Sequence, residues 1–248
     1  MSGHSKWAQI KRQKGAADAK RGQLFTKLGR ELTVAAREGA DPAGNSRLRM
    51  AIQRAREANM PHDTIERAIK RGSGGGEGVH YQEISYEGYG PGGAAVLVHA
   101  MTDNRNRAAA EIRSVFTRNG GNLGETGCVS WLFEPKGAIT VETDGHDPDE
   151  LALTAIDAGA DDVQVGDGVV EIYTDPSKLD EVRERLEGAK MPVAQAEMQM
   201  IPKTTVDLDE RSAEQAFRLV ERLEELEDVQ DVFTNTELSD EVAARLVG

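Results

Sequence analysis

The chain has 248 residues, of which 38% are hydrophobic and 4% aromatic, and its mean hydropathy is -0.52. That allows one large domain or two to three small ones, with cores built from Ala, Val, Leu and Ile. No run approaches the roughly 18 apolar residues of a membrane span, and the basic first residues are followed by no apolar segment of a secretory leader. The lone Cys128 excludes an internal disulfide framework, so a reducing cytoplasm is expected.

The formal net charge is -13, which by itself argues against a polyanionic partner. Its distribution reverses that argument. Residues 1–78 hold 16 Lys and Arg against 8 Asp and Glu, a net of +8, and the remainder carries -21. A polyanion should therefore meet the molecule at its basic end.

In chain order, residues 2–17 offer only Trp7 and Ile10 as large apolar groups and are expected to be flexible when free. From about Asp18 to Glu38, Leu24, Phe25, Leu28, Leu32 and Ala35 recur at helical spacing, and Gly39 and Pro42 stop the helix. A second helix is expected from about Asn45 to Ala58. A third starts at Asp63, which with Glu66 reads as a capping box, and ends near Arg71. The glycine-rich run from Gly72 to Gly78 falls where the charge changes sign and marks a domain boundary.

Beyond it, Gly88-Tyr89-Gly90-Pro91-Gly92-Gly93 matches the GxGxxG spacing, but an apolar strand follows rather than a helix, so the run reads as a turn between strands. Ala94–Met101 predicts a strand, Asn104–Arg118 a helix capped by Asp103, and Cys128–Phe133 a strand. Residues 137–201 read as a complete βαββαβ unit, in which Asp147-Pro148 and Asp175-Pro176 open the two helices. A strand at Thr204–Leu208, a helix at Glu210–Leu226 and a strand at Val229–Thr234 follow. The pieces flanking 137–201 join into a second βαββαβ unit. The expected fold class is thus α+β and multidomain, an N-terminal helical domain followed by two ferredoxin-like domains, one inserted in the other. The boundaries are 1–78, then 79–135 with 202–248, then the insert 136–201.

The candidate nucleic-acid contacts are Lys6, Trp7, Lys11, Arg12, Lys14, Lys20, Arg21, Lys27 and Arg30, with Arg47 and Arg54 on the second helix. Long cations suit phosphate, and Trp7 offers a ring that could stack on a base. Arg49, Arg56, Arg67, Lys70 and Arg71 extend the same pattern. The competing reading is a solvated charged face with Trp7 anchoring a small core. Asn104, Arg105 and Arg107 sit at a strand-to-helix turn, where capping competes with a second contact surface for anions. The five histidines have no metal-ligand spacing among themselves or with Cys128, which reads as core. No acid–base pair stands out, so no enzyme, catalytic residue, metal, cofactor or small-molecule substrate is expected.

Gly3-His4-Ser5-Lys6-Trp7-Ala8, Asp18-Ala19-Lys20-Arg21-Gly22, Phe25-Thr26-Lys27 and Asn59-Met60-Pro61 resemble the YebC/PmpR family. So do Ile65-Glu66-Arg67-Ala68-Ile69, Tyr86-Glu87-Gly88-Tyr89-Gly90-Pro91-Gly92-Gly93, Thr102-Asp103-Asn104-Arg105-Asn106-Arg107 and Gly120-Gly121-Asn122-Leu123-Gly124. The resemblance spans essentially the whole chain and is weaker beyond residue 135. It implies a helical N-terminal domain and two α/β domains. For function it implies a DNA-binding transcriptional regulator, with a translation factor on the ribosome, binding ribosomal or transfer RNA and assisting proline-rich stretches, as the alternative. It supplies no catalytic residues. An acidic protein-interaction module is a third reading. No convincing recognition helix is present, so readout of backbone or shape should dominate.

Overall fold

The computed structural model describes residues 18–74, 80–166, 168–238 and 242, with side chains described from Arg21 onward. The expectation for residues 2–17 lies outside them. The chain is α+β and multidomain; among the described residues, three helices are followed by two four-stranded antiparallel sheets, the second inserted in the sequence of the first.

The helices are α1 (Asp18–Ala35), α2 (Ser46–Glu57) and α3 (His62–Gly72). Their apolar stripes form one core: Leu28, Leu32, Ala35, Leu48, Ala51, Ile52, Ala55, Met60, Ile65 and Ala68. Leu24, expected inside, is 43% exposed. Buried Asn45 ties α1 to α2, because its Oδ1 accepts from the Leu48 N–H at 2.9 Å and its Nδ2 donates to the Ala35 and Gly39 carbonyls, each at 2.8 Å. The third helix departs from the expected capping box. It starts one residue early, with Pro61 at the N-cap and no side-chain cap bond, since the extended backbone of a proline already sets the entry to the first turn. At its end, a Cβ on Gly72 would lie 2.1 Å from the Thr33 carbonyl oxygen, so only glycine lets α3 approach α1 this closely.

The first sheet comprises β1 (Gln82–Tyr89), β2 (Ala95–Thr102), β3 (Asn122–Leu123) and β9 (Val229–Thr234), in the order β3-β1-β2-β9. Helices α4 (Arg105–Arg118) and α7 (Glu210–Glu224) pack on it through Ile112, Phe116, Leu219 and Leu223, all fully buried. Its elements run ββαβ before the insertion and αβ after it, so the strand and helix content of a βαββαβ unit is threaded in a different order. Individual strands differ accordingly. β1 alternates Glu83, Ser85 and Glu87 with its apolar residues and lacks the apolar run of β2, yet pairs with β2 along its whole length. Residues 128–132 are turn and 3₁₀ structure rather than strand, because Glu87 gathers the N–H groups of Gly127, Val129 and Ser130 that a ladder would need. Only Val206–Asp207 (β8) of the expected strand at 204–208 forms, parallel to Thr236–Glu237 (β10). The GxGxxG run turns β1 into β2 through Pro91–Gly93; at Gly92, with φ of 69°, a Cβ would also meet Leu208 at 2.5 Å.

The inserted sheet has β4 (Phe133–Glu142), β5 (Asp162–Val165), β6 (Val169–Thr174) and β7 (Val193–Pro202) in the order β5-β6-β4-β7, with α5 (Pro148–Asp157) and α6 (Leu179–Gly188). This is the ferredoxin-like arrangement. Asp147 caps α5 by accepting from Asp149 N–H, and Asp175 accepts from Ser177 N–H ahead of α6. By contact the chain divides into two units. One holds the described residues up to Ser130 with Leu208–Thr234, the other Trp131–Asp207 with the described residues from Asn235 on.

Candidate nucleic-acid interface

Lys6, Trp7, Lys11, Arg12 and Lys14 lie outside the described residues, and Lys20 lies in α1 with its side chain outside them. Arg21 is exposed at the first turns of α1. Further along α1, Lys27 and Arg30 follow three residues apart on one face, and Arg37 lies just past the end of the helix.

That face is turned inward. Lys27 Nζ donates to the Glu224 carbonyl at 2.7 Å, at the C-terminal end of α7, where the helix dipole is negative. Arg30 is only 7% exposed. Its Nη1 donates to the Glu227 carbonyl at 2.6 Å and to Asp228 Oδ1 at 2.8 Å, and its Nη2 to Glu227 Oε1 at 2.6 Å. The guanidinium also stands over the Tyr81 ring, 5.3 Å from its centre. Arg30 is thereby removed from the exposed phosphate-binding set, a correction to its reading as a surface contact. Arg47 pairs with Glu38 at 3.7 Å and with Glu83, and Arg54 donates to both Glu31 carboxylate oxygens at 3.1 and 3.3 Å. These pairings join side chains distant in sequence, and charge counting along the chain does not register them.

The second expected surface converges on the same place. Asn104, not Asp103, caps α4, with its Oδ1 accepting from Arg107 N–H at 3.1 Å. Asp103 instead pairs with the Arg107 guanidinium at 2.7 Å. Arg107 Nη2 reaches Asp228 Oδ2 at 2.9 Å, and Thr102 Oγ1 donates to the same oxygen at 2.8 Å. Asp228, 3% exposed, thus gathers α1, the end of β2 and the start of α4 on one carboxylate. Burial pushes its carboxyl up, but the bonds from Arg107 and Thr102 and the charge of Arg30 outweigh that and hold it below the ordinary Asp range. Asp228 carries no motif in the sequence; only its position at the entry to β9 makes it a hub. Arg105 remains exposed, its carbonyl accepting from the Tyr86 hydroxyl at 3.3 Å.

Exposed cations also stand elsewhere on the bundle: Arg56 on α2 and Arg67, Lys70 and Arg71 on α3. They are more accessible than Lys27, Arg30 or Arg54. They belong to the same run of cations in the sequence as Arg47 and Arg54. His62, Asp63 and Glu66 lie together, exposed, at the start of α3, where acids favour the helix dipole without any ion. Cys128 is half-buried and packs against the backbone at Gly124. Among the described residues, no helix is long and apolar enough to cross a membrane.

The comparisons with known proteins cover both parts of the chain. Residues 5–75 match the family described as the TACO1/YebC protein N-terminal domain, and residues 81–236 match the TACO1/YebC second and third domain. A protein of Desulfosudis oleivorans named probable transcriptional regulatory protein is 56% identical over 243 residues, covering 98% of this chain and 99% of that one. A protein of the same name from Pelotomaculum thermopropionicum is 57% identical, covering 97% and 100%. A crystal structure of a conserved hypothetical protein from Aquifex aeolicus superposes with a TM-score of 0.84 at 51% identity, over 90% of this chain and 93% of the other. With the helical part and both sheets matched at this level, the chain belongs to the TACO1/YebC family.

Proposed function

We propose that this protein is a non-enzymatic, DNA-binding transcriptional regulator of the cytoplasm that docks on nucleic acid through its basic N-terminal domain, residues 1–78. In this reading the discontinuous α/β domain, 79–135 with 202–248, and the insert 136–201 carry and orient that domain. The observation that carries the proposal is the opposition of charge, +8 on residues 1–78 against -21 on the rest, in a chain whose relatives bear the name probable transcriptional regulatory protein. Affinity comes from Lys6, Lys11, Arg12, Lys14, Lys20 and Arg21, with Trp7 available to stack, and Arg105 and Asn104 extend the contact. Phosphate contacts of this kind give affinity with little base choice.

The test is a salt titration of binding to duplex DNA and to structured RNA. Replacing Lys6, Lys11, Arg12 and Lys14 together with alanine should weaken binding sharply, and should flatten the dependence of log K on log salt by roughly 0.7–0.9 per lost contact. Unchanged affinity and slope would refute the N-terminal assignment. Crosslinking in cells that recovers ribosomal RNA without promoter DNA would replace transcription by translation as the process served.

A further inference from the structure

The helical bundle closes its own apolar core from residues of α1, α2, α3 and the short segments between them. To the first α/β sheet it also makes polar contacts. Four basic side chains of the bundle reach acceptors on the α/β part: Lys27 the Glu224 carbonyl, Arg30 the Glu227 and Asp228 groups, Arg37 the Tyr81 carbonyl at 2.7 Å, and Arg47 the Glu83 carboxylate. In each of these four contacts the cation belongs to the bundle. The acceptors are carbonyl and carboxylate oxygens, the same chemistry as a phosphate oxygen but with less charge. The Glu227 and Glu83 side chains retain 67% and 47% of their accessible surface, while Lys27, Arg47, Tyr81 and Glu224 are half-buried. Exposed pairs of this kind contribute little individually and are screened by salt. Between the two parts runs the glycine-rich sequence 72–78.

We propose that these contacts form a charge latch: a polyanion bound by the helical domain competes for Lys27, Arg37, Arg47 and finally Arg30, and so releases the bundle from the α/β sheet. The inference rests on the reading of the N-terminal domain as the nucleic-acid site and adds its regulation. An interface closed by apolar packing would be indifferent to phosphate. An interface closed by cations on oxygen can exchange one set of acceptors for another at small net change. Asp228 is the last acceptor to yield, because it is buried and shared with Arg107 and Thr102. The latch lowers affinity for short or weakly charged nucleic acid, and lets a long polyanion engage cations that the free protein keeps occupied.

Two measurements on the full chain test this. In a Cys128→Ser background, dyes are placed at Glu57→Cys on α2 and Glu111→Cys on α4, both exposed positions. Energy transfer between them should fall as a mixed-sequence DNA duplex is titrated to saturation. Transfer that stays constant at saturation overturns the latch while leaving nucleic-acid binding intact. Separately, Glu83→Gln with Glu227→Gln neutralises two exposed carboxylates without touching the core. Affinity for the duplex should then rise roughly three- to tenfold, and the salt slope should steepen by roughly 0.7–0.9 per freed cation. Equal affinity with an equal slope overturns the proposal. Binding insensitive to replacement of Lys6, Lys11, Arg12 and Lys14 would instead fall on the parent reading.

Discussion

The segment between β3 and β4 hangs on one carboxylate, and its removal has a calculable consequence. Glu87 is 3% exposed. Its Oε1 accepts from Gly127 N–H at 2.8 Å, and its Oε2 from Val129 and Ser130 N–H at 2.8 and 2.7 Å. Burial pushes this carboxyl up, but the backbone N–H groups more than offset it and hold it below its ordinary value of 4.5. Glu87→Gln keeps the shape, removes the charge and turns an NH₂ toward one donor; the exposed Gly127 N–H can then turn to water. A hydrogen bond to a charged acceptor contributes about 1.5–3 kcal/mol, against about 0.5–1.5 for a neutral one. A difference of about 1 kcal/mol over three bonds gives a loss of about 3 kcal/mol. At roughly 2–4 °C per kcal/mol for a chain of this size, the unfolding midpoint should fall by about 6–12 °C. Thermal and urea unfolding near neutral pH measure it. Because the folded pKa is lowered, this stability is present above the unfolded value and is lost as pH falls through the folded one. The gap between wild type and variant should therefore close in acid. A loss under about 1 kcal/mol, or a gap unchanged by acid, refutes the account. Cys128 gives a second readout. Burial, then the charges of Glu87 and Glu125, push its thiol up, so the variant should alkylate faster at a given pH.

Two further outcomes follow from local geometry. Gly72→Ala would set a Cβ 2.1 Å from the Thr33 carbonyl oxygen and 2.8 Å from Ala36 Cβ. It should destabilise the bundle by about 1–3 kcal/mol, seen as faster amide exchange in α1 and α3 with the inserted sheet unaffected; unaltered exchange in both helices would sink the packing argument. His99 meets Phe233 edge-on at 5.1 Å, and burial lowers its pKa below the ordinary 6.5 against the opposing pull of Asp231 and Glu83. A depressed imidazole contributes stability above the unfolded value that is lost as pH falls below it, so His99→Phe should flatten the stability curve on that acid side. A curve identical to wild type would refute this.

What the sequence made legible depended on how local the signal was. Asp147-Pro148 and Asp175-Pro176 state a helix start within two residues, and both caps form. The inserted unit carries such signals at each helix, so its whole order could be read. The first sheet could not be read in the same way. β1 holds Glu83, Ser85, Glu87 and Gly88 and is made a strand by register with β2. Residues 128–132 look like a strand until Glu87, some forty residues earlier, takes their N–H groups. Asp63 and Asp103 were each one residue from the true start of a helix, because Pro61 and Asn104 compete for the same role. The site shows the same limit. Composition located the basic end, but not which cations face water.

That distinction alters what the net charge means. Lys27, Arg30, Arg37 and Arg47 all count toward the +8 of residues 1–78, yet each meets an oxygen of the α/β part. Part of the charge asymmetry therefore serves cohesion between the bundle and the sheet, because a basic module beside an acidic body is attracted to it before any nucleic acid arrives. The two uses oppose each other. Replacing all four cations would loosen the bundle and remove phosphate contacts together, and a drop in affinity from such a variant could not separate cohesion from binding. Replacing acceptors does separate them. Glu83 and Glu227 belong to the acidic part, so neutralising them weakens cohesion while leaving every cation in place. A basic surface that only binds phosphate gains some relief of repulsion but keeps its salt slope, whereas one held by its own body steepens that slope by the cations released.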